Sequence, residues 1–173
     1  RRGARVAAHV GHSTTASEAV SLGVDCLEHI RIGHELLTDD QRKELESLPK
    51  RKHDALISFR PWQFIDPDSA RIDTILEQFT NAQVRLVPTL TLSQSVLLSR
   101  INPEVRRPPG IDTMHEAVIR RWEESDFAVD YSDADLACAE ELFSKQLDFV
   151  RRAHEAGIRI IAGTDVPNPY ILP

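Results

Sequence analysis

The chain has 173 residues, 41% of them hydrophobic, and a formal net charge of −6 from 21 basic and 27 acidic side chains. That acidic balance argues against nucleic acid or an anionic membrane as the main partner, since both call for basic surface. No apolar run nears the ~20 residues of a membrane span, and the length suits one domain but not a complete α/β barrel of ~250 residues.

Strand and helix signals then alternate along the chain. Val6–Val10 reads as a short apolar strand, followed by a loop of Gly11, His12, Ser13 and Thr14. Ser17–Leu22 looks like the end of a short helix, closed by Gly23 in the left-handed conformation. Val24–Ile30 is the next strand, and Thr38 or Asp39 caps a helix running to about Ser47. Ala55–Phe59 is either a brief strand or part of a loop that continues as extended chain through Arg60-Pro61-Trp62. Asp68 is the expected cap of a helix that buries Ile72, Ile75, Leu76 and Phe79.

Val84–Val87 reads as a third strand, stopped by Pro88. A long insertion near Leu90–Tyr131 follows, with a helix expected near Thr113–Glu123, and insertions of this kind build lids and substrate walls. Ser132 and Asp135 form a capping-box-like start to the last helix, whose expected buried stripe is Leu136, Ala139, Phe143, Leu147 and Val150. Gly157 ends it, and a fourth strand follows near residue 160. Alternation of this kind implies parallel strands joined by right-handed crossovers.

Chemistry concentrates where the strand signals give out. His9 and His29 end successive strands, so their side chains lie on neighbours ~4.8 Å apart and reach one ion. Asp165 follows Gly163-Thr164 at the end of the last strand, and the small glycine is expected to let the backbone turn outward there. Two imidazoles and a carboxylate are good donors for a divalent metal, most simply Zn2+. The carboxylate can also act as a general base; its competing role is to cap the turn before Pro167 and Pro169.

The other histidines carry less. His12 lies directly after the first strand, as a candidate for substrate contact or, equally, a locally bonded loop residue. His34 follows a glycine in a loop, His53 sits in the basic run Lys50-Arg51-Lys52-His53, and His115 and His154 have polar helical neighbours. Cys26 and Cys138 form no metal or redox motif and read as buried free thiols.

Together, Val6-Ala7-Ala8-His9, Gly23-Val24-Asp25-x-Leu27-Glu28-His29, Val87-Pro88-Thr89-Leu90 and Ala156-Gly157-Ile158-x-x-x-Ala162-Gly163-Thr164-Asp165 resemble the amidohydrolase superfamily, most closely its imidazolonepropionase-like and prolidase-like branch. The resemblance spans nearly the whole chain, in order. It implies the C-terminal half of a TIM-type (β/α)8 barrel, with residues 1–173 supplying strands five to eight as one partial barrel domain. It casts His9 and His29 as metal ligands of strands five and six. Asp165 becomes the strand-eight ligand that shuttles the proton of the attacking water, and His29 serves in one-metal members as a substrate contact. The family's first-strand His-x-His, its strand-four ligand and its β-sandwich domain have no counterpart here.

The chain starts Arg1-Arg2-Gly3-Ala4 without a methionine, and the expectation is an internal piece of a longer protein, cytoplasmic or periplasmic. The implied activity is metal-dependent hydrolysis of C–N bonds in a small amide, cyclic amide or dipeptide, using one or two ions. The alternatives are another reaction of the superfamily (deamination or phosphotriester hydrolysis) and a non-catalytic half-barrel module. A half-barrel leaves open edges, so these residues alone are expected to form a homo-oligomer or to be marginally stable.

Overall fold

Four short apolar runs pair side by side in a parallel sheet, and their order in space is their order in sequence: β1 (Ala7–His9), β2 (Cys26–Glu28), β3 (Arg85–Val87) and β4 (Arg159–Ile160). The computed structural model describes residues 3–11, 13–48, 58–124 and 131–172. The expected residues 55–57, His53 and His12 lie outside them. The strands are in register as Ala8↔Leu27↔Leu86↔Ile160, and these four side chains form one cross-strand row. Leu27 and Leu86 are 2% exposed, so this row is the floor of the core. The alternate residues, Ala7, Cys26, Arg85 and Arg159, fall on the opposite and more open face.

β1, β2 and β3 are each followed by helix, and the caps explain where most helices begin. α1 (Ala16–Ser21) opens with a reciprocal capping box between Thr15 and Glu18, and Gly23 takes φ +89° after its end. After β2 come the single turn α2 (Gly33–Leu36) and α3 (Asp39–Ser47), whose cap is Thr38 paired with Gln41. α4 (Ala70–Asn81) buries Ile72, Ile75, Leu76 and Phe79 as expected, but its cap is Ser69, not Asp68. The Ser69 hydroxyl accepts from Arg71 N, whereas the Asp66 carboxylate holds the amide of Asp68 in the preceding turn.

Arg60–Gln63 is a 3-10 turn and not extended chain. Pro61, the second residue of this turn, needs no amide donor there, and the turn drops Trp62, 1% exposed, onto Phe149 with ring centroids 6.0 Å apart.

The segment after β3 begins as a buried helix, α5 (Leu90–Leu98), followed by the single turn α6 (Pro103–Arg106) and by α7 (Glu116–Glu124). α5 packs on α8 (Asp133–Glu155), which also covers the Arg60–Gln63 turn and β4. Ser132 and Asp135 cap α8 reciprocally. Its buried face is Ala139, Leu142, Gln146, Phe149 and Ala153, with Leu147 43% exposed. The expected stripe is thus rotated by about one residue. Ala139 and Ala153 admit close neighbours, and Leu142 and Phe149 fill the space between them.

Both cysteines are free and half-buried, not fully buried; Cys138 donates to the Asp135 carbonyl at 3.2 Å. Among the described residues no helix is long and apolar enough to cross a membrane.

Gly163 does a different job from the one its position suggests. Its φ is not left-handed; what requires glycine is β3, because a Cβ here would overlap Val87 Cγ1. Gly163→Ala is therefore expected to cost about 1–3 kcal/mol by forcing β3 and the segment after β4 apart. Urea unfolding checks this, and an unchanged midpoint would contradict the close approach.

Candidate functional site at the strand ends

Parallel strands deliver their C-terminal ends to one edge of the sheet, and three residues at that edge share an unusual backbone. His29, Thr89 and Asp165 follow β2, β3 and β4 and adopt φ of 68°, 45° and 61°. Left-handed φ is uncommon for any residue with a Cβ and is a genuine outlier for a β-branched threonine. Strain of this kind costs of order 1–3 kcal/mol per residue and clusters where a site needs a fixed geometry.

The side chains of these residues converge. His29, 9% exposed, places Nδ1 2.7 Å from Thr89 Oγ1 and Nε2 2.9 Å from His9 Nδ1. The imidazoles of His9 and His29 meet edge to face, with centroids 4.5 Å apart and planes at 78°. Asp165 Oδ2 stands 3.9 Å from His29 Nε2, beyond hydrogen-bond reach, on a side chain that is 40% exposed. The turn after Asp165 is closed by its carbonyl, which accepts from Asn168 N at 3.3 Å and Asn168 Nδ2 at 2.5 Å. The carboxylate is thus not the cap of that turn.

Thr89 is the site residue that sequence reasoning passed over. A signal was present: Thr89 lies two residues beyond the third strand, close to the edge where His29 follows the second. Of the other histidines among the described residues, none makes a contact with this cluster. His34 is exposed in α2, His115 Nδ1 accepts from Ala117 N at 3.1 Å in the first turn of α7, and His154 is exposed in the last turn of α8.

Among the described residues no group of three or more His, Cys, Asp or Glu side chains is arranged as a metal cage. Around a tetrahedral zinc with bonds of ~2.0–2.1 Å, two ligating nitrogens lie ~3.3 Å apart. The His9–His29 nitrogens, 2.9 Å apart, need only part slightly, and Asp165 Oδ2 at 3.9 Å need only approach slightly. Those are side-chain rotations. Thr89 also disposes His29 for this role, since the tautomer with Nδ1–H donating to Oγ1 leaves the Nε2 lone pair facing His9 and Asp165. The three residues therefore fit as part of a coordination shell.

Two clefts flank the cluster. One, about 340 Å³, is lined by Gly11, Arg31, His34, Arg42 and Ser58 among others, on the loops after β1 and β2. The other, about 400 Å³, lies beside Thr164 between α5, α6 and the Tyr170–Leu172 segment. Gln94, Asn102 and Val105, from the segment after β3, line this second cleft together with Tyr170. The chain matches no protein-family description, no curated protein and no solved structure.

Burial pushes the His29 imidazole below its ordinary value; His9 and Arg31 push the same way, while Asp165 opposes them. Its folded pKa is thus depressed relative to the unfolded chain, near 6.5. The unfolded chain takes up that proton first as pH falls, so this residue's contribution to stability is present above pH ~6.5 and declines below it. Imidazole NMR titration is expected to give His29 a midpoint under 6.5; a midpoint above 6.5 would contradict its burial against His9.

Proposed function

We propose that these residues form the later half of the active site of a metal-dependent hydrolase of the amidohydrolase type, acting on the C–N bond of an amide, cyclic amide or dipeptide. The observation that carries the reading is the meeting of His9 Nδ1, His29 Nε2 and Asp165 Oδ2 at the C-terminal edge of a parallel sheet, the edge where α/β barrels keep their chemistry. The sheet's sequential order and its one helix-covered face support the finer reading of a (β/α)8 barrel arc, strands five to eight. The further ligands would then come from strands outside these 173 residues.

His9 and His29 would hold the ion, Zn2+ in the simplest case, and Asp165 would complete their side of the shell. Bound there, the ion would polarise the scissile carbonyl and lower the pKa of water toward ~7. Asp165 is exposed enough to meet solvent and substrate. It would take the proton from water and return it to the leaving nitrogen, as general base and then general acid. Thr89 fixes the His29 ring so that Nε2 and not Nδ1 faces the reaction. The unpaired outer edges of β1 and β4 support self-association of the isolated chain.

A scaffolding role without catalysis is the second reading, favoured by the lack of a closed cage among the described residues. Calorimetric zinc titration separates the two. The hydrolase reading expects His9→Ala to weaken zinc binding by at least ~10-fold, and expects the zinc-loaded parent protein to cleave members of an amide and dipeptide library. Superimposable isotherms for His9→Ala and the unmodified chain would remove His9 from the site and favour the scaffold.

A further inference from the structure

The cleft of about 340 Å³ after β1 and β2 carries more positive charge than the rest of this acidic chain leads one to expect. Two guanidinium groups line it. Arg31 follows His29 by two residues and is half-buried, and Arg42 is exposed on α3. Among the described residues neither side chain makes a hydrogen bond or salt bridge.

One carboxylate, Glu35, also lines the cleft, and it is held by backbone amides: Oε1 accepts from Ala16 N at 2.6 Å and Oε2 from Ser17 N at 3.1 Å. Those bonds tie it to the start of α1, so that among the described residues two guanidinium groups and one tethered carboxylate line the cleft. The remaining lining is Gly11, Gly33, the His34 imidazole and the hydroxyl residues Thr14, Thr15 and Ser58. The floor is rigid, since Gly33 is packed so closely against Pro61 that a Cβ would have to displace it.

Arg31 joins this cleft to the strand-end cluster. Its charge acts on both Asp165 and His29, so it stands within electrostatic reach of each.

We infer that this cleft is an anion subsite, in which Arg31 and Arg42 hold a carboxylate or phosphate group of the substrate and thereby seat its scissile bond over His9 and His29. The word substrate rests on the hydrolase reading; the anion site itself does not. Such a subsite selects molecules with a negative group set apart from the bond that is cut. A guanidinium fork suits both oxyanions, because each offers two coplanar oxygens.

The test is a titration of the full chain with N-acetylglycine and, separately, inorganic phosphate, followed by amide NMR shifts. Saturable shifts at Gly11, Thr14 and Gly33 are expected, with affinity falling about tenfold or more in Arg31→Met and also falling in Arg42→Gln. The stronger of the two probes identifies the group. Arg42 is exposed, so its variant reports on binding even where Arg31→Met disturbs folding. No saturable shift with either probe, or unchanged affinity in Arg42→Gln and in a folded Arg31→Met, would overturn the inference. Zinc uptake measured on the same samples keeps the readings apart. Zinc binding without anion binding removes this subsite alone; anion binding without zinc removes the hydrolase reading and leaves the subsite standing.

Discussion

The buried imidazole of His29 is the constraint around which the strand-end cluster is organised. A ring that is 9% exposed must satisfy both of its nitrogens from within the protein, and here Thr89 Oγ1 and His9 Nδ1 do so at 2.7 and 2.9 Å. Those two partners come from the strands on either side, so one side chain ties β1, β2 and β3 together at their ends. Meeting these partners goes with positive φ at both His29 and Thr89. Backbone strain at adjacent strand ends persists only where surrounding packing over-determines it.

That packing comes from the opposite face of the sheet. The row Ala8, Leu27, Leu86 and Ile160 sits against a core that includes Phe79 of α4 and Leu142 and Phe149 of α8, and the segment after β3 adds α5 to the same layer. The strands are only two or three residues long, so the ladder alone could not hold their ends in place. Helices packed on one face fix the strands, and the strand ends are then fixed in turn. Gly163 belongs to the same economy of space, since it lets the chain after β4 pass close to Val87 and so brings Asp165 toward His29.

The convergence of His9, His29 and Asp165 was legible in the sequence because it depends on one rule: parallel strands deposit their C-terminal residues on a common edge. Thr89 obeys the same rule but was overlooked, as a threonine announces no chemistry by itself. α5 was hidden for a different reason. Leu90-Thr91-Leu92-Ser93 alternates apolar and polar residues as a strand would, and tertiary burial overrides that pattern. In α8 the pairs Leu142/Phe143 and Phe149/Val150 offer two apolar stripes one residue apart, and periodicity cannot choose between them. The cleft holding Arg31 and Arg42 was illegible for lack of any local signal, because α3 and the loop after β2 meet there only through the fold.

The proposed metal site requires that Thr89 turn His29 so that Nε2, together with His9 Nδ1, presents a pair of donors to one ion. Long-range 1H–15N correlation spectra of the histidine rings, recorded before and after adding zinc, test it at the level of single atoms. The account predicts that the His29 Nε2 and His9 Nδ1 resonances move to metal-bound positions while His29 Nδ1 stays protonated against Thr89. Zinc appearing at His29 Nδ1, or leaving both histidines unmoved, would contradict it.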